Sequence, residues 1–156
     1  MGGAVQVLAV ISAVGSGLVG GVFFGFSTFV MQALRRLPSA QGLAAMQAIN
    51  VAAPNPWFMA ALFGTALSSI ALAGLSLRDG TTDTAFHIIG AAIYLVVVIV
   101  TAVYHVPRNN ALAAVDPEDT RAASAWNTYF SGWHAWNHLR TVAGLAASAV
   151  LTISLT

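Results

Sequence analysis

The sequence predicts an all-α integral membrane protein: a four-helix bundle with a short amphipathic interfacial helix between spans 1 and 2 and an extended helix leading into span 4. Two observations carry this expectation. Of the 156 residues, 58% are hydrophobic and 7% are charged, where a soluble domain carries about a quarter charged residues. The few charges are gathered into clusters that leave four apolar stretches, each to be set against the roughly 20 residues a helix needs to cross a bilayer. We expect a single transmembrane domain over residues 1–156, with spans at about 4–34, 57–77, 84–106 and 134–155.

The first stretch, Ala4 to Leu34, meets no charge before Arg35. It lacks a basic leading region and exceeds a signal-peptide core in length, so it reads as a retained span. Gly17, Gly21 and Gly25 recur every four residues within it, a smooth stripe for close helix packing within the chain or in a homo-oligomer. Gly64 with Ser68 and Gly144 with Ser148 repeat the pattern. In the connection that follows, Ser39 suits an N-cap, and Leu43, Met46 and Ile49 then fall at helical spacing, predicting an amphipathic helix on the membrane surface. Pro54-Asn55-Pro56 separates it from the second span, which starts at Trp57 and stops at Arg78-Asp79-Gly80. The turn to Asp83 is short, which makes spans two and three antiparallel neighbours. The third span runs from Thr84 to Val106, where Pro107 should end it. Asp116-Pro117-Glu118-Asp119 has an N-cap, a proline at the first helical position and acids in the first turn, so a helix should start near residue 117 and run into span four. After Arg140 the remaining residues rise about 24 Å of a roughly 30 Å core. The fourth span must therefore draw in Asn137, His138 and Arg140, at a depth where polar groups mark a site or an interhelical contact.

Arg35, Arg36, Arg108, Arg121 and Arg140 lie on the side of the two long connections, and only Arg78 lies on the other. The positive-inside rule then makes the long connections cytoplasmic and turns both termini outward across the plasma membrane. A net charge of +1 offers no field for nucleic acid. The absence of cysteine excludes disulfides and thiolate metal sites, leaving histidine to hold any metal. With no Asp or Glu inside a predicted span, a proton-relaying pump is disfavoured. The glycine-rich first span is not a phosphate loop, having no Lys-Ser or Lys-Thr after it.

An even number of spans brings the first and third connections to one face, and the chemically unusual residues converge there: Asn50, Asn55 and Trp57; Tyr104, His105, Arg108, Asn109 and Asn110; Trp126, Tyr129, Trp133, His134, Trp136, Asn137, His138 and Arg140. His134 and His138 share a helix face and, with His105, form a candidate ligand set for copper, iron or zinc. The bland alternative puts His134 at the headgroups and His138 in a helix contact. His138 is also a candidate general base, with Arg140 and Asn137 stabilising an oxyanion, although His138 and Arg140 lie about 200° apart on a helix and Arg140 has the alternative of snorkelling to headgroups. The tryptophans suit either an aromatic belt or a flat cleft for a planar ligand. His87 reads as an interfacial histidine.

Phe24-Gly25-Phe26-Ser27-Thr28-Phe29-Val30-Met31, Ala45-Met46-Gln47-Ala48-Ile49-Asn50, Asn55-Pro56-Trp57, Val106-Pro107-Arg108-Asn109-Asn110 and Trp136-Asn137-His138-Leu139-Arg140-Thr141 resemble, in this order, the DUF1772 or anthrone oxygenase family of small four-span membrane proteins. The sequence departs from the family pattern at His105, where asparagine is common, and His134 lies outside the shared motif. The resemblance implies an oxygenase that oxidises a hydrophobic, anthrone-like aromatic with dioxygen. His138 would abstract a proton, and Arg140 and Asn137 would hold the enolate or peroxide oxygen. Asn109 and Asn110 would hold ring hydroxyls, with Asn50, Asn55, Trp57, Trp133 and Trp136 completing the substrate site. Such chemistry requires no flavin or haem, and proceeds either without a cofactor or with a histidine-bound metal. The alternatives are a non-enzymatic carrier or binding protein for an aromatic molecule, and a scaffold subunit packing a partner helix.

Overall fold

The computed structural model describes residues 2–156. Its helices are α1 (Gly3–Arg35), α2 (Ser39–Ala52), α3 (Pro56–Asp79), α4 (Thr84–Ala113) and α5 (Ala122–Ile153). By length and apolarity α1, α3 and α4 qualify as membrane spans. The 32 residues of α5 rise about 48 Å. Its first half carries the polar residues up to Arg140, and its apolar second half completes the bundle. The long helices form a closed ring in which α1 packs on α5, α5 on α4, α4 on α3 and α3 on α1, while α2 lies across one end. The result is an all-α membrane bundle.

Local chemistry sets the ends. Asn55 caps α3 by accepting the Phe58 amide at 3.0 Å, with Pro56 at the first helical position. Gly80, at φ 63°, supplies the left-handed residue that closes α3 before the turn into α4. The uncapped end of the bundle is filled by Val5, Ala9, Ala13, Leu72 and Leu151, and the middle by Val19, Phe23, Leu62, Tyr94 and Val97. Beneath α2 lie Met31, Leu43, Met46, Leu112, Trp126, Tyr129, Phe130 and Trp133.

Several expectations are corrected. Ser39 is the first residue of α2, and Pro38 occupies the cap position without a side-chain hydrogen bond. Pro107 does not end α4: a π-turn at Thr101–His105 shifts the hydrogen-bond register just upstream, and the helix accommodates the missing N–H and continues to Ala113. α5 begins at Ala122 because Asp116 and Asp119 accept the amides of Glu118 and Arg121 in local turns. The tightest α1–α5 contact is made by Gly20 and Gly144, where a Cβ on Gly144 would stand 2.8 Å from the Gly20 Cα. Gly17 approaches Ser148, while Gly21 and Gly64 face open space. His87 is buried between α3 and α4, its Nδ1 2.7 Å from the Ser76 hydroxyl.

Candidate functional site

Beneath α2, between α1, α3, α4 and α5, lies a cavity of about 530 Å³. Phe23, Phe26, Met46, Ile49, Phe58 and Met59 make most of its wall apolar. Into this wall come six polar side chains: Asn50, Asn55, Thr101, His105, Asn109 and Arg140. An apolar pocket with a few convergent polar groups is the ordinary form of a small-molecule site. Two π-turns flank it. One, at Phe26–Val30 of α1, contributes Phe26; the other, at Thr101–His105 of α4, contributes Thr101 and His105. Such turns widen a helix locally and re-aim its side chains and carbonyls.

Arg140 is the electrostatic centre of the cavity. It is 4% exposed. Its two terminal nitrogens donate to the Thr101 hydroxyl at 3.1 Å and to the Asn137 Oδ1 at 2.7 Å, and its guanidinium lies 3.9 Å from the Phe23 ring centre. Its Nε is buried with no hydrogen-bond partner, and among the described residues the ion pairs are Arg78–Asp79 and Arg121–Asp119, so no carboxylate neutralises it. A buried charge without a counter-charge is costly. An anionic group entering the cavity would supply one.

Asn137 is a brace. Its Nδ2 donates to the Phe23 carbonyl and to the Ser27 hydroxyl, each at 2.8 Å, tying α5 to the π-turn of α1 and aiming its Oδ1 at Arg140. His105, 1% exposed, sits edge-on to Trp133 with ring centres 5.0 Å apart. Both its nitrogens face carbonyl oxygens at 3.3 Å, Nδ1 towards Val100 and Nε2 towards Trp133. A neutral imidazole has one N–H, so one nitrogen is unprotonated against an acceptor. Asn109 accepts from the Tyr129 hydroxyl at 2.8 Å and from the Trp133 indole at 3.1 Å, and Asn50 donates to the same Tyr129 hydroxyl at 3.4 Å. These bonds fix the wall under α2.

The structure thus brings together Asn50, Asn55, Asn109, Trp133, His105 and Arg140, with Asn137 directly behind. The other expected residues fall elsewhere. Trp57 is 86% exposed, an outward anchor. Trp136 stacks on Tyr104 with ring centres 4.7 Å apart, and Trp126 is buried beneath α2 against Gly42. Asn110 is exposed. His138 is exposed on the far side of α5 from the cavity, as the helical angle between it and Arg140 requires, so the base role implied for it is not met by its position. His105, His134 and His138 do not form a three-ligand set, and among the described residues no group of three histidine, aspartate or glutamate side chains is placed to hold a metal. His105 faces inward to two carbonyls, whereas His134 gives its Nε2 to the Ser27 carbonyl at 3.0 Å on the other side of α5.

Thr101, Phe26, Phe58 and Met59 were not anticipated as site residues. They belong to stretches whose apolar composition is equally that of lipid-facing helix, and the π-turns that aim Phe26 and Thr101 inward have no composition signal. Outside the cavity, a groove of about 650 Å³ runs between α4 and the start of α5, with Tyr129 in its wall. Asp119 lies at its edge, and the Arg121 guanidinium clamps that carboxylate well below the usual range.

A family model described as anthrone oxygenase matches residues 55–150, more than half of the chain. The match takes in α3, α4 and α5 and with them Thr101, His105, Asn109, Trp133 and Arg140. No curated protein and no solved structure matches the chain.

Proposed function

This chain belongs to the anthrone oxygenase family, and from that premise we propose that it is a membrane oxygenase. Its substrate is a planar, hydrophobic, enolisable aromatic ketone of the anthrone type, taken from the bilayer and oxidised with dioxygen to the quinone. The observation that carries this reading is Arg140, a buried guanidinium without a counter-ion in the wall of an apolar cavity. An anthrone carries an acidified methylene across the ring from its carbonyl. Loss of one proton gives an enolate whose charge rests on oxygen, and the guanidinium stabilises that charge in a water-poor site.

His105 is the imidazole in the cavity wall, and it replaces His138 as the proton acceptor in this proposal. Both its nitrogens lie 3.3 Å from backbone carbonyls, so taking the substrate proton requires the ring to turn its unprotonated nitrogen away from a carbonyl and towards the ligand. The enolate then passes an electron to dioxygen, a carbon–oxygen bond forms at the former methylene, the peroxide takes back the proton held by His105, and the hydroperoxide loses water to leave the second carbonyl. The balance is one methylene and one dioxygen giving one carbonyl and one water. In this reading Asn50 and Asn109 meet ring hydroxyls, and Phe23, Phe26 and Trp133 cover the ring faces. The five arginines at this end of the bundle support a cytoplasmic opening.

Oxygen uptake by the folded, detergent-purified protein on addition of a hydroxylated anthrone, above protein-free and Arg140→Met controls, is the expected result. Saturable ligand binding with uptake no faster than buffer would overturn the oxygenase reading in favour of a binding protein that uses the same cavity.

A further inference from the structure

On the opposite side of α5 from the cavity, His134 and His138 stand one turn apart with ring centres 4.3 Å apart and planes at 79°. Two features distinguish this pair from two unrelated surface imidazoles. His134 is pinned: its Nε2 lies 3.0 Å from the Ser27 carbonyl, and its ring stacks on Phe130 at 5.2 Å with an interplanar angle of 12°. At 3.0 Å this contact is a hydrogen bond when Nε2 carries the proton, and in that neutral tautomer Nδ1 keeps its lone pair. An imidazole whose second nitrogen donates to a carbonyl is the usual state of a metal-ligating histidine. The second feature is the spacing. Two imidazoles bound to one ion through bonds of about 2.0–2.1 Å hold their ring centres about 4.5 Å apart at the right angle of tetragonal copper(II) and about 5.2 Å apart in tetrahedral zinc. The observed separation of 4.3 Å is within about 1 Å of both, and binding requires the edge-on rings to turn so that one nitrogen of each faces the ion.

We propose that His134 and His138 form a two-histidine site for a borderline transition-metal cation, zinc or copper(II), on the outer face of the bundle, with water or lipid-headgroup oxygens completing the shell. His134 is half-buried and His138 exposed, so the site is open from the surface. The nearest cation given by the packing is Arg35, whose guanidinium sits 4.8 Å from the Phe130 ring centre and is exposed to solvent screening. Because Ser27 also accepts from Asn137, the brace behind Arg140, an ion here would stiffen the α1–α5 contact without entering the cavity. The proposal does not rest on the oxygenase reading and has its own readout.

The test uses tag-free, full-length protein in detergent, titrated with zinc chloride by calorimetry and with copper(II) followed by electron paramagnetic resonance. The expected result is one ion per chain, two nitrogen couplings in the copper spectrum, and an affinity loss of at least about tenfold in each of His134→Ala and His138→Ala. His138→Cys should bind zinc again, a thiolate replacing the imidazole. His138 is exposed, so its variants are not expected to perturb folding, and their unfolding temperature without metal checks this. Absence of binding by the unsubstituted protein would overturn the proposal. So would single-alanine variants that each keep half the sites at unchanged affinity, the signature of independent imidazoles and an adventitious ion only.

Discussion

Arg140→Met removes the charge and keeps an unbranched side chain of similar length, so it separates what the guanidinium does for the fold from what it does for the ligand. For the fold two effects oppose. The Asn137 Oδ1 loses a donor that now stands at 2.7 Å, and an orphaned buried acceptor costs about 1–3 kcal/mol. Against this, an uncompensated buried charge disappears, and replacing buried charge by apolar volume is often neutral or stabilising by about 1–4 kcal/mol. Thr101 still donates to the Val97 carbonyl at 2.8 Å and is left satisfied. The net change in stability should therefore stay within about 2 kcal/mol of zero. For the ligand nothing opposes the loss. A guanidinium and an enolate about 4 Å apart at an effective dielectric of about 20 attract by about 4 kcal/mol, which corresponds to about a thousandfold in rate. That agrees with the roughly 10²–10³ lost when one oxyanion donor is removed elsewhere. The assay is initial oxygen uptake with a hydroxylated anthrone, beside thermal unfolding and size-exclusion profiles of the same preparations. Arg140→Lys keeps a charge but not the planar fork or the stacking on Phe23, and should fall between the two. Uptake by a folded Arg140→Met protein within twofold of the unsubstituted one would refute the reasoning.

His105→Phe should lower oxygen uptake by about 10² or more, whereas His138→Ala should leave it within about twofold, an outcome read from the same electrode and reversed if His138 on α5 is the base. Thermal unfolding should separate the glycines: Gly144→Ala forces a Cβ to 2.8 Å from the Gly20 Cα and should cost about 1–3 kcal/mol, while Gly21→Ala, facing open space, should be neutral or stabilise by about 0.5–1 kcal/mol. Tyr129→Phe removes one of two donors to Asn109 and the acceptor for Asn50, so a loss of about 1 kcal/mol is expected in denaturant or thermal titration, with no loss if the wall of the cavity is held by packing alone. Because Arg121 depresses the Asp119 carboxyl, its contribution to stability is fully present above the unfolded value near pH 4 and fades as pH falls below it. Asp119→Asn should flatten that acid limb slightly, the pair being solvent-exposed.

Much of the architecture is legible in the chain because burial in lipid is a matter of composition. A run without charges long enough to span a bilayer has few alternatives to a helix, and the breaks at Arg35 to Ser39, Arg78 to Asp83 and after Ala113 fall where charges, proline and glycine cluster. The end of the bundle that holds the site is legible for the same reason: Asn50, Asn109, Asn137 and Arg140 are too polar to be scattered there at random. Helix ends were less legible. Pro107 signals a stop that the π-turn cancels, and Asp116-Pro117-Glu118-Asp119 has the residues of a helix start but spends its carboxylates on local turns.

The sequence by itself determined that this protein is a helical membrane bundle and that its polar residues gather at one end, since both follow from hydrophobicity and span parity. Only the tertiary structure decided which of those residues face one another. His138 and Arg140 are two positions apart in the chain and lie on opposite sides of α5, while His105 and Arg140, on different helices, share a cavity wall. Direction around a helix is set by packing: by Gly20 against Gly144, by Asn137 reaching across to Phe23 and Ser27, and by two π-turns that rotate the ends of α1 and α4. Those contacts join residues far apart in the chain, and their energies depend on three-dimensional fit that composition and spacing do not carry.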